Sequence, residues 1–474
     1  MENIALYKMQ KISYRLKDVQ LAIDEAFRLM GYDAEHMNDD DWNPLGDIIH
    51  PGDNVLLKPN MVMHKNYNPN GGLECLFTQK SVVEAVLKYV VRALKNDKNG
   101  KITIADAPMQ ACDFEQLIEK SGYREMVERY QQQYPKIKFE IKDLRGVKSF
   151  KRNGVCYYTE KQNAEQVVVR LNGESEFAKL PQERIASMRI TDYDPDIMRK
   201  HHNGKCHEYA IAKDILEADV IINMPKPKTH RKAGITCSLK NIVGICTRKE
   251  YLPHHTIGEY TEETSAKGGD EYKTRTVFRR IEDNLLDWKN RFAQTYNRPM
   301  LALVLHQFVR INHLLSRCLC NEKIYEGNWY GNRTISKTIT DLNKILFYAS
   351  RNGDMLQGRR CRKYLIVADM IILGDGEGPL APSSYPLGVV GVGENPVAFD
   401  EIVATLFGAK MEYMNTIKQA RLTSKGKYPL IDESVKGCIK SNCHFWDGKF
   451  WDQIDKDDKL DINPTSGWRE AFYR

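Results

Sequence analysis

Lys226, Lys228 and His230 stand two residues apart, with Pro225 and Pro227 interleaved among them. A proline pushes the residue before it out of the α region, so Met224 and Lys226 are expected to stay extended. Side chains of an extended chain alternate between faces, so these three potential cations should point the same way and hold a carboxylate or a phosphate. Eight residues after His230 comes Ser238-Leu239-Lys240-Asn241-Ile242-Val243-Gly244. Ser238 reads as the N-cap of a short helix whose first amides would also face an anion, and Lys240 and Asn241 join the candidate binding residues. Lys58-Pro59-Asn60 repeats the pairing of a lysine with a proline and adds Lys58 and Asn60 to that group. In Gly374-Asp375-Gly376-Glu377-Gly378-Pro379, alternating glycines let the backbone approach a ligand while two carboxyl groups project from it. No Gly-Lys-Ser/Thr follows, so this is not a Walker loop. Asp375 or Glu377 is read as handling a proton or as a ligand of a divalent metal. Lys228, His230 and Asp375 are the candidate catalytic groups, because crowding lowers a lysine's pKa and makes it a candidate base. The competing reading of 225–230 is a solvated basic loop, and that of the glycine run is a simple tight turn.

These residues need a scaffold that brings distant segments together, and the hydrophobic pattern supplies one. Val220-Ile221-Ile222 is a continuous β-branched run of the kind found in parallel strands covered on both faces. A strand over 55–58 follows the turn Pro51-Gly52-Asp53, a helix over 78–95 has Thr78 as its cap, and a strand over 101–106 completes a βαβ unit. Asp106, at a strand end, reads as capping the turn or as binding a metal or hydroxyl. Helices are expected at 17–30, 114–133 and 397–407, the last with Pro396 at its first position, and strands at 137–141, 364–373 and 388–393. The implied fold is α/β, a mostly parallel sheet with helices on both faces, and open sheets of this kind place ligands at the carboxyl ends of their strands.

The sheet is read as three stretches, 1–145, 211–260 with the central site loop, and 351–425, followed by a C-terminal wrap at 426–474 that holds Trp446, Trp451 and Trp468. A β-rich insertion is expected over 146–210 and a helical insertion over 261–350, with helical periodicity at 275–292, 301–317 and 335–350. His201, His202, Cys206, His207 and Glu208 cluster in sequence but lack a second ligand pair of zinc-finger type. His254 and His255 are adjacent and would point apart, so one of them acting on substrate competes with plain surface histidines. Asp341 and Asn343 are placed on a helix that could reach the site.

Composition narrows the partners. The 474 residues carry 70 basic and 63 acidic side chains, a net +7 that is small for this length. No zinc finger, RNP signature or basic zipper is present, so a small anionic ligand is expected and nucleic acid is not. The first residues lack a basic stretch followed by an apolar one, and 300–315 is interrupted by polar residues, so no membrane partner and a cytoplasmic location are expected. Eleven cysteines, an odd number, argue against a disulfide framework. Neither Cys318 with Cys320 nor Cys438 with Cys443 makes a ferredoxin-type run, so no iron–sulphur cluster of that kind is expected.

Lys58-Pro59-Asn60, the segment from Asn223 to His230, the segment from Ser238 to Gly244, the glycine run at 374–379 and the later Gly-Glu-Asn-Pro-Val-Ala-Phe-Asp ending at Asp400 together resemble domain-of-unknown-function family 362. The blocks keep the family's order and span about 50 to 410. Some members of that family are fused to iron–sulphur ferredoxin modules. Two functions are carried forward: an enzyme acting on a small carboxylate or phosphate, and a non-catalytic accessory or redox partner of iron–sulphur systems.

Overall fold

The computed structural model describes residues 1–162, 164–266, 268–272, 276–320 and 324–473. Ten strands form one sheet: β1 (Glu2–Lys8), β2 (Asn54–Pro59), β3 (Lys101–Asp106), β4 (Lys138–Asp143), β5 (Val220–Met224), β6 (Lys228–His230), β7 (Gly234–Thr236), β8 (Lys363–Glu377), β9 (Ala381–Gly393) and β10 (Gly437–Ser441). The order is β10-β1-β9-β8-β5-β2-β3-β4, with β6 pairing β7 and the far end of β8. β8, β5, β2, β3 and β4 are parallel neighbours. β9 runs antiparallel to both β8 and β1, and β1 is parallel to β10, so along that path only β9 is reversed.

The helices used below are α1 (Leu16–Met30), α2 (Lys80–Leu94), α3 (Ser238–Asn241), α4 (Val277–Asn290), α5 (Pro299–Cys320), α6 (Thr334–Tyr348) and α7 (Pro396–Leu406). β5 explains why its run is apolar throughout. Val220 and Ile222 belong to one buried apolar cluster with Phe27 of α1 and Val86 of α2, while Ile221 belongs to a second, with Leu239, Ile339 and Val403. A strand covered on both faces has no polar side to show.

Three expectations change. The helix expected over 114–133 is two, Phe114–Ser121 and Tyr123–Gln133. Thr78 does not cap α2; Gln79 holds that position, and the Thr78 hydroxyl instead donates to the Met224 carbonyl at 2.7 Å and accepts from the Asn60 amide at 3.0 Å. It thereby ties the ends of β2 and β5. The glycine run is strand rather than turn, because β8 continues through Glu377 paired with β9. Gly374 sits opposite Lys228 in β6, and a Cβ there would lie 2.4 Å from the Lys228 Cβ, so the missing side chain admits a neighbouring strand, not a ligand. Of the helical pattern read from 275, Arg275 lies outside the described residues and α4 begins at Val277.

Candidate functional site

The lysines converge at the carboxyl ends of β2 and β5. Lys58, wholly buried, pairs with Asp106 at the end of β3 at 2.7 Å, and the other oxygen of Asp106 accepts from the Met61 amide at 2.9 Å. Burial pulls the Lys58 ammonium below its usual pKa and Asp106 works against it. Gly244 is what lets the pair exist beside the backbone, since a Cβ there would come within 1.9 Å of the Asp106 carboxylate and 2.6 Å of Lys58 Nζ. Lys226 makes a second buried pair, 2.9 Å from Asp369 of β8, and donates to the Tyr14 hydroxyl at 2.7 Å, which donates to Asp369 at 2.9 Å. Burial first, then the Asp369 charge, holds the Tyr14 phenol well above its usual pKa.

Lys228 has no carboxylate partner among the described residues. Its ammonium donates to Asn60 Oδ1 at 2.6 Å and to the Leu76 carbonyl at 2.5 Å. Asn60 passes the polarity on, donating to Asn241 Oδ1 at 2.9 Å, and Asn241 donates to Asn223 Oδ1 at 2.7 Å. Burial, then the charge of Lys226, brings Lys228 down to about 7.

Lys240, on α3, is partly buried and its ammonium makes no hydrogen bond or ion pair with a described residue. Burial, then the charges of Lys249 and Lys58, bring it down to about 7. Lys249, which donates to the Val243 carbonyl at 3.1 Å, is itself lowered to about 8, by burial above all. His230 Nδ1 accepts the backbone N–H groups of Lys232 and Ala233, each at 3.1 Å, so the ring proton sits on Nε2. Burial and then Lys240 drive His230 well below its ordinary pKa, so it is a neutral donor rather than the third cation of the loop. His254, whose Nδ1 lies 2.7 Å from the Leu252 carbonyl, is depressed by the same two causes.

The segment 226–230 therefore does not present one cationic face. Lys226 goes to Asp369, Lys228 to Asn60 and Leu76, and His230 to the vicinity of Lys240. Ser238 is not a cap either. Asp400 of α7 accepts the Ser238 and Leu239 amides at 2.8 and 3.0 Å, so the protein's own carboxylate fills the helix end that an anion was expected to meet. Asp375 accepts from the Asn463 amide at 2.6 Å and from its side chain at 2.9 Å, and Glu377 accepts from the Ser466 amide at 2.9 Å. Both expected metal ligands thus clasp the C-terminal segment, and a metal at Asp375 would compete with Asn463. Among the described residues no group of three or more His, Cys, Asp or Glu is placed to hold a metal ion. His202 and His207 face each other at 3.2 Å, lowered by burial to about 3 and about 4, and His201 pairs with Glu208 at 2.7 Å. Asp341 takes Ser175 and Tyr209, while Asn343 donates to the Leu239 carbonyl of α3 at 3.1 Å.

The sequence reading missed Asp369, Lys249 and Tyr14. Asp369 was detectable, since an acid inside the apolar run 364–373 must find a partner when buried. Lys249 and Tyr14 carry no local signal.

No curated protein matches the chain. A crystal structure of a protein from Thermotoga maritima is similar at 10% identity with a TM-score of 0.31, covering 83% of this chain and 58% of that one, so this chain spans less than two thirds of its length. The model of the family described as "Domain of unknown function (DUF362)" matches residues 55–153 and 146–405, which include every lysine of the cluster together with Asp106, Asp369 and Asp400. The chain belongs to the DUF362 family.

Proposed function

We propose that the chain is an enzyme acting on a small carboxylate- or phosphate-bearing compound held at the carboxyl edge of the sheet. The observation that supports this reading is an imbalance of charge. Lys58 and Lys226 have carboxylate partners, whereas Lys228, Lys240 and Lys249 have none among the described residues. Gathering ammonium groups away from water without counter-charges is costly, and a bound anion offsets that cost. Lys240 is the group that meets the ligand, because it alone of these lysines is partly exposed and has no hydrogen-bond partner among the described residues. His230 offers its Nε2 proton to the same ligand. Lys228, wholly buried, acts through Asn60 and Asn241 as a positioning residue. An amine with a pKa of about 7 takes or gives a proton near neutrality, and the surrounding ammonium groups stabilise negative charge that develops on the substrate.

Native mass spectrometry of the purified chain, followed by calorimetry with inorganic phosphate, tests the reading. A co-purified acid or phosphate compound is expected, with phosphate binding weakened about tenfold or more in Lys240→Met. Unchanged phosphate affinity in that variant would remove the site.

A further inference from the structure

Away from this site, the hairpin of α4 and α5 has its polarity reversed. A helix on a protein surface normally turns its apolar stripe inward. In α5 the buried residues are Ala302, Asn312 and Ser316, and in α4 they are Arg279, Glu282, Asp283, Lys289 and Asn290. The seam between the helices is correspondingly polar: Asn312 Nδ2 donates to the Phe278 carbonyl at 2.8 Å, and His313 Nδ1 lies 3.2 Å from Glu282. Outward go Val304, Phe308, Ile311 and Leu315, at spacings of four, three and four residues along one stripe, with Phe308 55% and Ile311 57% exposed. Trp288 of α4 and Tyr296 beyond it are also exposed, each tilted against Phe292 with ring centroids 5.7 and 5.9 Å away.

Charge identifies the occupant of this face. Residues 288–321 contain no Asp or Glu, and Arg298, Arg310 and Arg317 are exposed and form no ion pair with a described residue. A second copy would set these arginines against one another with no acid on the stretch to answer them. An anionic lipid surface meets both features, since interfacial helices bury an apolar stripe at the acyl boundary and hold cations among the headgroups. No helix among the described residues is long and apolar enough to cross a membrane, so the seating is in the plane of the interface. We propose that the α4–α5 hairpin docks the protein on an anionic lipid surface, with Phe308 and Ile311 entering the acyl boundary and Arg310 and Arg317 lying among the headgroups.

Flotation of the full chain with vesicles of phosphatidylcholine and phosphatidylglycerol, beside vesicles of phosphatidylcholine alone, tests this. Binding to the mixed vesicles is expected, weakening in high salt and falling about fivefold in Arg317→Gln. The double variant Phe308→Ser/Ile311→Ser should lose about tenfold or more. Both positions are exposed, so its thermal unfolding should match wild type, which separates lost docking from lost fold. If the protein stays out of the floated fraction and forms a dimer that Ile311→Ser dissociates, a second copy is the occupant and lipid docking is overturned. Failure of a monomeric wild-type protein to float overturns it equally.

Discussion

An ammonium partly buried and with no partner among the described residues is the most informative residue-scale feature of this protein, and its consequences are measurable through pH. Lys228 and Lys240 sit at about 7 in the folded chain against about 10.4 when unfolded. Between those values the unfolded chain binds more protons than the folded one, so stability without ligand rises with pH from about 7 upward and is least below it. Denaturant unfolding is expected to show this rise in wild type and a smaller one in Lys228→Met, and a flat profile would contradict the assignment. His230 and His254, both depressed, add a second slope: stability falls as pH drops through the unfolded histidine value of about 6.5. At this scale Lys58, Lys226 and Lys228 were picked out because prolines and strand ends mark them, whereas Lys240 was read from a helix start at Ser238 whose amides Asp400 takes instead. The partners of these lysines were less legible. Asp106 could be placed at a strand end but read as a turn cap, because pairing with Lys58 across 48 positions leaves no local trace.

Elements explain why those lysines tolerate burial. Lys226 and Asp369 belong to the segment after β5 and to β8, neighbours in the sheet, and both are fully buried. Removing one partner of such a pair strands a charge, so Asp369→Ala should cost about 3–5 kcal/mol in chemical denaturation, whereas Lys226→Met/Asp369→Leu should recover most of it. An Asp369→Ala protein as stable as wild type would show that the pair is not intact in solution. Gly374→Ala forces β6 away from β8, and we expect weaker anion binding in calorimetry as Lys228 shifts with its strand. Strands β2, β3 and β5 and helices α1, α2 and α7 could be read from periodicity, since each follows its own hydrophobic pattern. The end of β8 could not. Its glycines read locally as a ligand-approaching run or a tight turn, and pairing with β9, and with β6 at Gly374, holds them extended, an override of local preference by tertiary contacts.

At the scale of the whole molecule the C-terminal segment is fastened to the end of β8 and to the chain just after β6. Asn463 and Ser466 hold Asp375 and Glu377, and Trp468, fully buried, donates to the carbonyl of Arg231, the residue after His230, at 2.8 Å. Trp468→Ala is expected to cost about 3–5 kcal/mol and to raise protease sensitivity of the last residues, as measured by denaturation and limited proteolysis. The mostly parallel α/β sheet with helices on both faces was legible from the βαβ spacing. The insertion of the reversed β9 between β1 and β8 was not, because strand order is set by contacts hundreds of residues apart. The same convergence gathers Lys58, Lys228 and Lys240 from three segments, with Asp106 the one carboxylate paired to them among the described residues, and sulfate, which keeps its charge across this interval, is the probe of that claim. Calorimetric titration of sulfate into wild type and Lys240→Met at about pH 6 and about pH 9 spans the shifted lysine values and tests it most directly. Wild type should bind at the lower pH and lose about tenfold or more at the higher one, with Lys240→Met weak at both. Equal affinity in both proteins at both pH values would contradict the account.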